Sequence, residues 1–327
     1  MTDLPDRRFL VTGAYGCVGA WVTRELAAAG ADVTTFDLST DPRRLAMLLD
    51  AEALAAIPHQ TGDISDLDTV ERVVSERGIT NVIHLAALQV PFCRADPPLG
   101  ARVNVLGTVN VFEAVRRSAD HMAPLVYASS VAAFDAYEED TPPAMSGHPG
   151  TIYGVYKRAN ESTAWLYAEE SGVASVGLRP HTVYGVGRDQ GLTSAPTTAM
   201  LAAAAGVPFT IPYGGASQLQ LASDVARAFV SASVSDTPRA SVHNLPSGRV
   251  EIAEVIAAIE AAAPASAGTI EATGTRLPFP EEVASDSFAE IDANFTETPL
   301  ADGVGSTIER FRELLAEGLV APPTAAP

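Results

Sequence analysis

A short apolar run, Arg8 to Val11, flows directly into Thr12-Gly13-Ala14-Tyr15-Gly16-Cys17-Val18-Gly19. A helical pattern follows from Val18 to Ala29, and Gly30 stops it. Strand, glycine turn and helix in immediate succession leave few folds open, because the helix must return along the strand and bury one face against it. Gly13 permits the tight turn, Gly16 lets backbone approach a pyrophosphate, and Gly19 lets the helix pack close to the strand. An anion placed there meets the free N–H groups and the positive dipole end of the helix. The spacing is G-x-x-G-x-x-G, not the G-x-G-x-x-G of many dehydrogenases, so the strand and helix around it carry the reading. Tyr15, Cys17 and Val18, lying between the glycines, are expected to touch the same ligand. A second strand, Val33 to Phe36, ends at Asp37. A carboxylate in that place accepts both hydroxyls of an adenosine ribose and repels a 2′-phosphate, so NAD is expected in preference to NADP. Arg43 and Arg44, just after Asp41-Pro42, read as solvated residues on a helix face.

The same rhythm continues for about 180 residues. Asp63-Ile64 follow a third strand, Ile57 to Gln60. Val82 to Leu85 make a fourth, ending in His84-Leu85-Ala86-Ala87, where small residues let a cofactor lie against backbone. His84 sits in an apolar run and reads as a core histidine. Val103 to Val115, with Asn104 and Gly107-Thr108, is helical. Leu125 to Ala128 deliver Ser129-Ser130 to the C-terminal edge of a fifth strand, the edge at which α/β sheets bind ligands. A helix reaching about Glu170 and a sixth strand, Val173 to Leu178, then lead into Arg179-Pro180-His181-Thr182-Val183-Tyr184-Gly185. The expected fold is α/β, a doubly wound parallel sheet (Rossmann-like) with a smaller C-terminal substrate-binding lobe. Residues 1–180 form the cofactor domain, with 219–245 returning to it, and 181–327 form mainly the lobe and tail. Beyond Gly185 the chain is punctuated by Gly187, Gly191, Pro196, Pro208, Pro212, Gly214 and Gly215. Helical patterns span Thr197 to Ala205, Asp224 to Ser231 and Ile252 to Ala262, with a short strand at Val242 to Leu245. Ala263 to Gly268 reads as a linker, and the tail from Ala321 as disordered.

One residue stands out by scarcity. Of 21 basic residues only Lys157 is a lysine. An ammonium is a compact point charge and a guanidinium a broad planar fork, so a site needing one small cation does not accept the commoner arginine. Lys157 lies four residues after Tyr153, hence on the same helix face. Its charge is expected to favour the phenolate and lower the Tyr153 pKa toward neutrality, making Tyr153 a general acid/base.

With 327 residues, 47% of them hydrophobic, the chain can bury a large core and an attached lobe. A net charge of −19 argues against nucleic acid or an anionic membrane as partner. Cys17 and Cys93 have no metal-ligand spacing, which fits a reducing cytosol, and no metal site is expected. Met1 to Arg8 lack the apolar core of a signal peptide, and no apolar run reaches the ~18 residues of a membrane helix. A cytoplasmic location is expected.

The chain resembles the extended short-chain dehydrogenase/reductase superfamily, specifically its NAD-dependent epimerase/dehydratase group. The matching pieces are the Thr12 to Gly19 turn, Asp37, Asp63-Ile64, Leu85-Ala86-Ala87, Asn104 with Gly107-Thr108, Ser129-Ser130, Tyr153 with Lys157, and Arg179-Pro180 through Tyr184-Gly185. The resemblance implies that Tyr153 is the acid/base and Lys157 its electrostatic partner and ribose clamp. It implies that Ser130 polarises the reacting C–O group and that Ser129 lies nearer the nicotinamide. Asn104 would hold the site's backbone and hydrogen-bond network, while Pro180, Thr182 and Val183 would contact NAD. Members acting on nucleotide-diphosphate sugars often carry Asn where this chain has Thr182, and Arg within the segment that reads here Ser217 to Ser223. Without them a diphosphate loses obvious partners, although Arg188, Arg249 or Arg276 could substitute.

The resulting expectation is an NAD-dependent oxidoreductase that oxidises a secondary alcohol of a small sugar or sugar acid. Gln89, Ser130, His148 and Thr182 would grip its hydroxyls, with Arg94 or Arg188 available for a carboxylate. The alternative is a nucleotide-sugar epimerase resembling UDP-glucose 4-epimerase, in which the hydride returns to the other face of a retained ketone. A dehydratase is discounted because Val131-Ala132 follow Ser130 where an Asp-Glu pair is common. A non-catalytic NAD sensor would have been free to lose Tyr153 or Lys157. By analogy with the superfamily a homodimer is expected, with Tyr156, Trp165 and Leu166 as contacts.

Overall fold

The computed structural model describes residues 4, 6–118, 123–134, 148–191, 193–274, 276–277 and 280–323. Residues 324–327 of the expected disordered tail lie outside that set. The first strand β1 (Arg8–Thr12) turns into α1 (Cys17–Ala28), and β2 (Asp32–Asp37) is followed by the short α2 (Arg43–Ala46) and α3 (Ala51–Ala56). The next strand, β3 (His59–Thr61), leads to α4 (Leu67–Glu76). Beyond β4 (Asn81–His84) come α5 (Val90–Ala95), α6 (Pro97–Ala101) and α7 (Gly107–Arg117). A π-helical turn, Arg102–Leu106, joins the last two. Then β5 (Leu125–Ala128), α8 (Ile152–Ser171) and β6 (Ser175–Arg179) complete the alternation.

These strands and β10 (Ala240–Asn244) form one parallel sheet in the order β10-β6-β5-β4-β1-β2-β3. The chain runs outward from β1 to β3, then returns to the other side of β1 at β4. That reversal opens a crevice at the C-terminal ends of β1 and β4, the place where such sheets take their ligands. Period-two alternation along β1 builds a core on each face. Phe9 and Val11 pack with Val22 and Leu26 of α1 and with Val225 and Phe229 of α10 (Ala222–Ser233). On the opposite face Leu10 meets Val70 and Val73 of α4 and Phe112 of α7.

The C-terminal lobe has a three-stranded sheet of β7 (Thr182–Tyr184), β9 (Ala216–Leu221) and β11 (Arg249–Glu251), in which β9 runs parallel to β7 and antiparallel to β11. A small parallel pair joins β8 (Phe209–Ile211) to β12 (Ile270–Ala272). Three helices, α9 (Ala195–Ala205), α11 (Ile252–Ala262) and α12 (Leu300–Ala316), close over one core that includes Met200, Val255, Ile259, Ile308 and Phe311. The sequence reading assigned nothing to α12. In the structure its Arg310 donates twice to the Met47 carbonyl, at 2.9 and 3.1 Å, fastening the lobe's last helix beside α2.

Tyr156 is corrected as a subunit contact. It is buried, and its hydroxyl donates to the Pro97 carbonyl at 2.8 Å, so it packs inside the chain. Trp165 and Leu166, by contrast, are exposed on α8.

Candidate active site

The crevice begins at a cradle that side chains would fill. Gly13 has φ +66°, and a Cβ there would come within 2.6 Å of the Ala86 backbone nitrogen across the crevice. A Cβ at Gly19 would overlap the Gly13 carbonyl oxygen, so strand, turn and helix are in backbone contact. Gly16 is the N-cap of α1 and offers no side-chain cap, which leaves the first N–H groups of α1 facing the crevice. A cavity of about 500 Å³ opens above this cradle, lined by Gly13, Tyr15, Gly16, Cys17, Asp37, Asp63, Ile64 and Leu85 to Gln89. Asp37 accepts from the Tyr15 and Ser39 backbone N–H groups, both at 2.9 Å, which fixes its carboxylate at the cavity rim. The cradle, the bare helix end and the carboxylate fit an adenine dinucleotide.

Arg44 departs from the solvated role read from the sequence. Its side chain is only 14% exposed. It donates to the Tyr15 carbonyl at 3.0 Å and twice to Asp189, at 3.0 and 2.6 Å, while Arg43 reaches Asp189 at 3.3 Å. The segment after β7 is therefore clasped across the cavity. On its near side Trp21 of α1 donates to the Val186 carbonyl at 2.9 Å.

A second cavity of about 230 Å³ shares walls with the first and is lined by Val18, Gly19, Ser129, Ser130, Tyr153, Lys157, Pro180 and Val183, among others. The start of α8 is set by Thr151, whose hydroxyl caps the Gly154 N–H at 3.0 Å. Gly154 lies so close to the Ala132 carbonyl that a Cβ would overlap it. This contact presses Tyr153 against the turn that follows β5, where it shares a cavity wall with Ser130. The Ser130 hydroxyl accepts from the Ala132 N–H at 3.1 Å. Lys157, one turn along α8, is buried, donates to the Ala128 carbonyl at 2.7 Å and lies 5.5 Å from the centre of the Tyr153 ring.

The acidities run against the expectation of a Lys157-driven phenolate. Burial pushes the Tyr153 phenol up to about 12, against the opposing pull of the Ser130 hydrogen bond and the Arg188 charge. Burial brings Lys157 down to about 8. Desolvation is the largest influence on both groups, and Lys157 is not among the charges that move the Tyr153 phenol.

Several other sequence-read side chains are committed to partners within the protein. Asn104 brackets Leu88, donating to its carbonyl at 2.9 Å and accepting its N–H at 2.7 Å. Its own carbonyl accepts from Thr108 and Asn160, each at 2.8 Å. Asn104 thus holds the segment that presents Gln89. The Ser129 hydroxyl is turned toward Glu161, which also takes a two-pronged ion pair from Arg179 at 2.7 and 2.5 Å. Ser129 lines the second cavity with its hydroxyl committed to Glu161. Thr182 is corrected as a cofactor or substrate contact. It is fully buried, its hydroxyl 2.6 Å from that of Ser217, which in turn meets His181 at 3.1 Å. His148 is exposed and lines neither cavity, and the same holds for Arg94. Gln89 and Arg188 line both.

His84 is a buried structural histidine. Thr108 donates to the Asn104 carbonyl, so its oxygen takes the His84 Nε2–H at 3.0 Å, and Nδ1 accepts from Thr12 at 2.7 Å. The residues that sequence reasoning missed are Asp189, Glu161, Thr193 and Tyr213. Only Glu161 left a local sign, lying four residues after Lys157 on the same helix face.

Fold and crevice together define a dinucleotide-binding α/β protein with a serine, a tyrosine and a lysine beside the cofactor groove. The chain belongs to the NAD-dependent epimerase/dehydratase family, whose family model matches residues 9–243, and its cofactor is NAD. It is similar to UDP-glucuronate 4-epimerase 2 of Arabidopsis thaliana, 31% identical over 186 residues that cover 54% of this chain and 42% of the relative. It is also similar to UDP-glucose 4-epimerase of Corynebacterium glutamicum, 31% identical over 54% of this chain and 52% of that protein. The chain thus spans about half the length of the curated relatives it matches. Among solved structures, UDP-glucose 4-epimerase of Thermus thermophilus in complex with NAD aligns with a TM-score of 0.75 at 25% identity, over 93% of this chain and 99% of that one. L-threonine dehydrogenase of Clostridium difficile shares the fold with a TM-score of 0.78 at 19% identity, over 96% and 99%. Among the described residues no helix is long and apolar enough to cross a membrane, and no group of His, Cys, Asp and Glu is arranged to hold a metal.

Proposed function

We propose that this protein is an NAD-dependent oxidoreductase that oxidises a secondary alcohol of a small polyhydroxylated substrate, a sugar or sugar acid. The observation that carries the reading is that Ser130, Tyr153 and Lys157 line one cavity beside the cofactor groove, with the Lys157 ammonium 5.5 Å from the centre of the Tyr153 ring. Bound NAD supplies the hydride acceptor and, when oxidised, a positive charge that favours the phenolate. Tyr153 takes the hydroxyl proton while the C–H electron pair leaves as hydride, so the alcohol becomes a ketone, or a lactone if the anomeric carbon reacts. Ser130 donates to the same oxygen and stabilises the charge it gathers. Lys157, whose ammonium lies on the Ala128 carbonyl below the phenol, would hold the cofactor ribose.

The Thr182 position favours a small substrate. Its buried hydroxyl pairs with that of buried Ser217, so neither hydroxyl is turned toward a diphosphate. The second reading, a nucleotide-sugar epimerase, is supported by the similarity to UDP-glucuronate and UDP-glucose 4-epimerases. The two readings separate in one experiment. NADH absorbance is followed with a panel of sugars and sugar acids, while UDP-glucose and UDP-glucuronate are incubated with the enzyme and checked for inversion. Stoichiometric NADH from a free sugar or acid supports the oxidoreductase. Catalytic inversion of a UDP-sugar without net NADH would replace it with the epimerase.

We propose further that the protein works in the cytosol, where its unpaired Cys17 and Cys93 remain reduced, and that it pairs with a second copy through α8.

A further inference from the structure

A lone guanidinium sits where the two cavities meet. Arg188 lines both, and among the described residues its one hydrogen bond goes to the Thr193 hydroxyl at 3.1 Å. It makes no ion pair with any described carboxylate, although 40 acidic residues accompany 21 basic ones in this chain. Its Nε is buried without a hydrogen-bond partner, as is the side-chain oxygen of Gln89. The two side chains converge on Gly191: a Cβ built there would overlap the Gln89 amide oxygen and lie 3.2 Å from Arg188 Nη2. Nearby, Tyr213 is 3% exposed and its hydroxyl also lacks a partner. The Arg188 charge is felt at the phenols of Tyr153 and Tyr213 and at the Cys17 thiol, which places it between the reacting end and the cradle.

A half-buried cation whose Nε is covered and unpaired is costly, and a protein that keeps one at its reaction centre gains when the ligand brings the counter-charge. The guanidinium fork matches a planar two-oxygen anion, with two parallel N–H···O bonds. A diphosphate would want several cationic or amide donors close together, and in the second cavity Arg188 is the one guanidinium among the described lining residues, with Thr193 and Gln89 beside it.

We infer that Arg188 is the substrate's carboxylate receptor, and that the polyhydroxylated substrate proposed above is an acidic one, a uronic or aldonic acid. The inference rests on that reading for the reaction but makes a separate claim about binding. Arg188 holds the carboxylate, Gln89 and Thr193 take neighbouring hydroxyls, and the reacting C–OH is delivered to Tyr153. Asp189, the next residue, faces outward into the Arg43–Arg44 clasp, so one short segment reads the substrate on one side and encloses the cofactor on the other.

The test uses the NAD-loaded full chain and its Arg188→Gln and Arg188→Lys variants. Calorimetric titration compares D-glucuronate and D-galacturonate with D-glucose and D-galactose, and UDP is titrated as a diphosphate lacking a carboxylate. NADH formation is read in parallel, and NAD affinity is measured for each variant. The expected result is acid binding at least ~10-fold tighter than neutral sugar in the parent, collapsing to near parity in Arg188→Gln and partly restored in Arg188→Lys. NAD affinity should change less than ~3-fold across the set. Acid-selective binding without NADH would keep the receptor and remove the oxidoreductase reading. Equal binding of acid and neutral sugar, or binding of neither, would overturn the inference. So would a loss in Arg188→Gln that falls on UDP or on NAD, since the guanidinium would then serve a phosphate.

Discussion

At the scale of single residues, scarcity and burial tell the same story about Lys157. A chain that uses arginine at every other basic position keeps one lysine, and that lysine is 4% exposed between the Ala128 carbonyl and the Tyr153 ring. The branched guanidinium needs more volume than this site has, and its charge would be centred farther from the phenol. Lys157→Arg should therefore lower kcat/KM by ~10²-fold or more, with the protein still folded, as misplacement of a catalytic charge does. Steady-state kinetics beside a thermal melt would check this, and near-normal turnover would move the chemistry elsewhere. His84 supports a prediction about stability. Burial lowers its pKa from 6.5 to about 3, with the Lys157 charge adding to the effect. The unfolded chain takes up a proton as pH falls through about 6.5, while the folded chain stays neutral until about 3. Stability is thus complete above 6.5 and drains away on acidification toward 3. His181, lowered to about 4 by burial, adds in the same direction. Denaturant titrations at stepped pH should show that decline in the parent and a shallower one in His84→Gln; a level profile from pH 6.5 to 4.5 would contradict the assignment.

At the scale of elements, what could be read from the sequence depended on how local the signal was. The glycine turn, the apolar strands up to β6 and the helix carrying Tyr153 and Lys157 each announce themselves within a dozen residues, because period and punctuation are local properties. The lobe does not. All of β9 is buried, yet it carries Gln218 and Gln220, which satisfy their amides on the carbonyls of Ser247, Val283 and Leu245. Those partners are far along the chain, and a polar pair in a short run reads as surface. The helix α12 was missed because no strand followed it to complete the rhythm. The clasp was missed for the same reason: Arg44 looks solvated until Asp189, 145 residues later, is folded onto it. Each pair alone would be worth ~1 kcal/mol or less if exposed, but Arg44 is largely covered and gripped by two bonds. Asp189→Ala should raise the NADH dissociation rate ~5- to 30-fold, equivalent to ~1–2 kcal/mol, while leaving substrate preference unchanged. Stopped-flow fluorescence of bound NADH would measure it, and an unaltered rate would mean that the segment closes without help from the ion pair.

At the scale of the whole molecule, the sheet is covered on both faces, and the lobe closes its own core, yet one flank of the cofactor half remains apolar. On α8, Ile152, Val155, Trp165 and Leu166 are exposed, and Leu106 in the π-helical turn and Leu99 in α6 are exposed as well. Single exposed leucines need no explanation, whereas a tryptophan 58% exposed with Leu166 beside it, and Val155 and Ile152 about three turns back on the same helix, marks a contact surface. Because α8 also carries Tyr153 and Lys157 at its start, a partner seated along it would stiffen the helix that positions the chemistry. The proposed pair of subunits would bury this face symmetrically, each Trp165 contributing ~2 kcal/mol or more on covering its ring. Trp165→Glu places a charge at the centre of that face and should convert the dimer to a monomer, shifting the dissociation constant by ~10²-fold or more, while the isolated subunit keeps its melt and its NAD site. Sedimentation velocity over a concentration series decides it. A parent protein that sediments as a monomer at all concentrations would leave α8 as a free surface and would require Tyr153 to be held by the Thr151 cap and the Gly154–Ala132 contact alone.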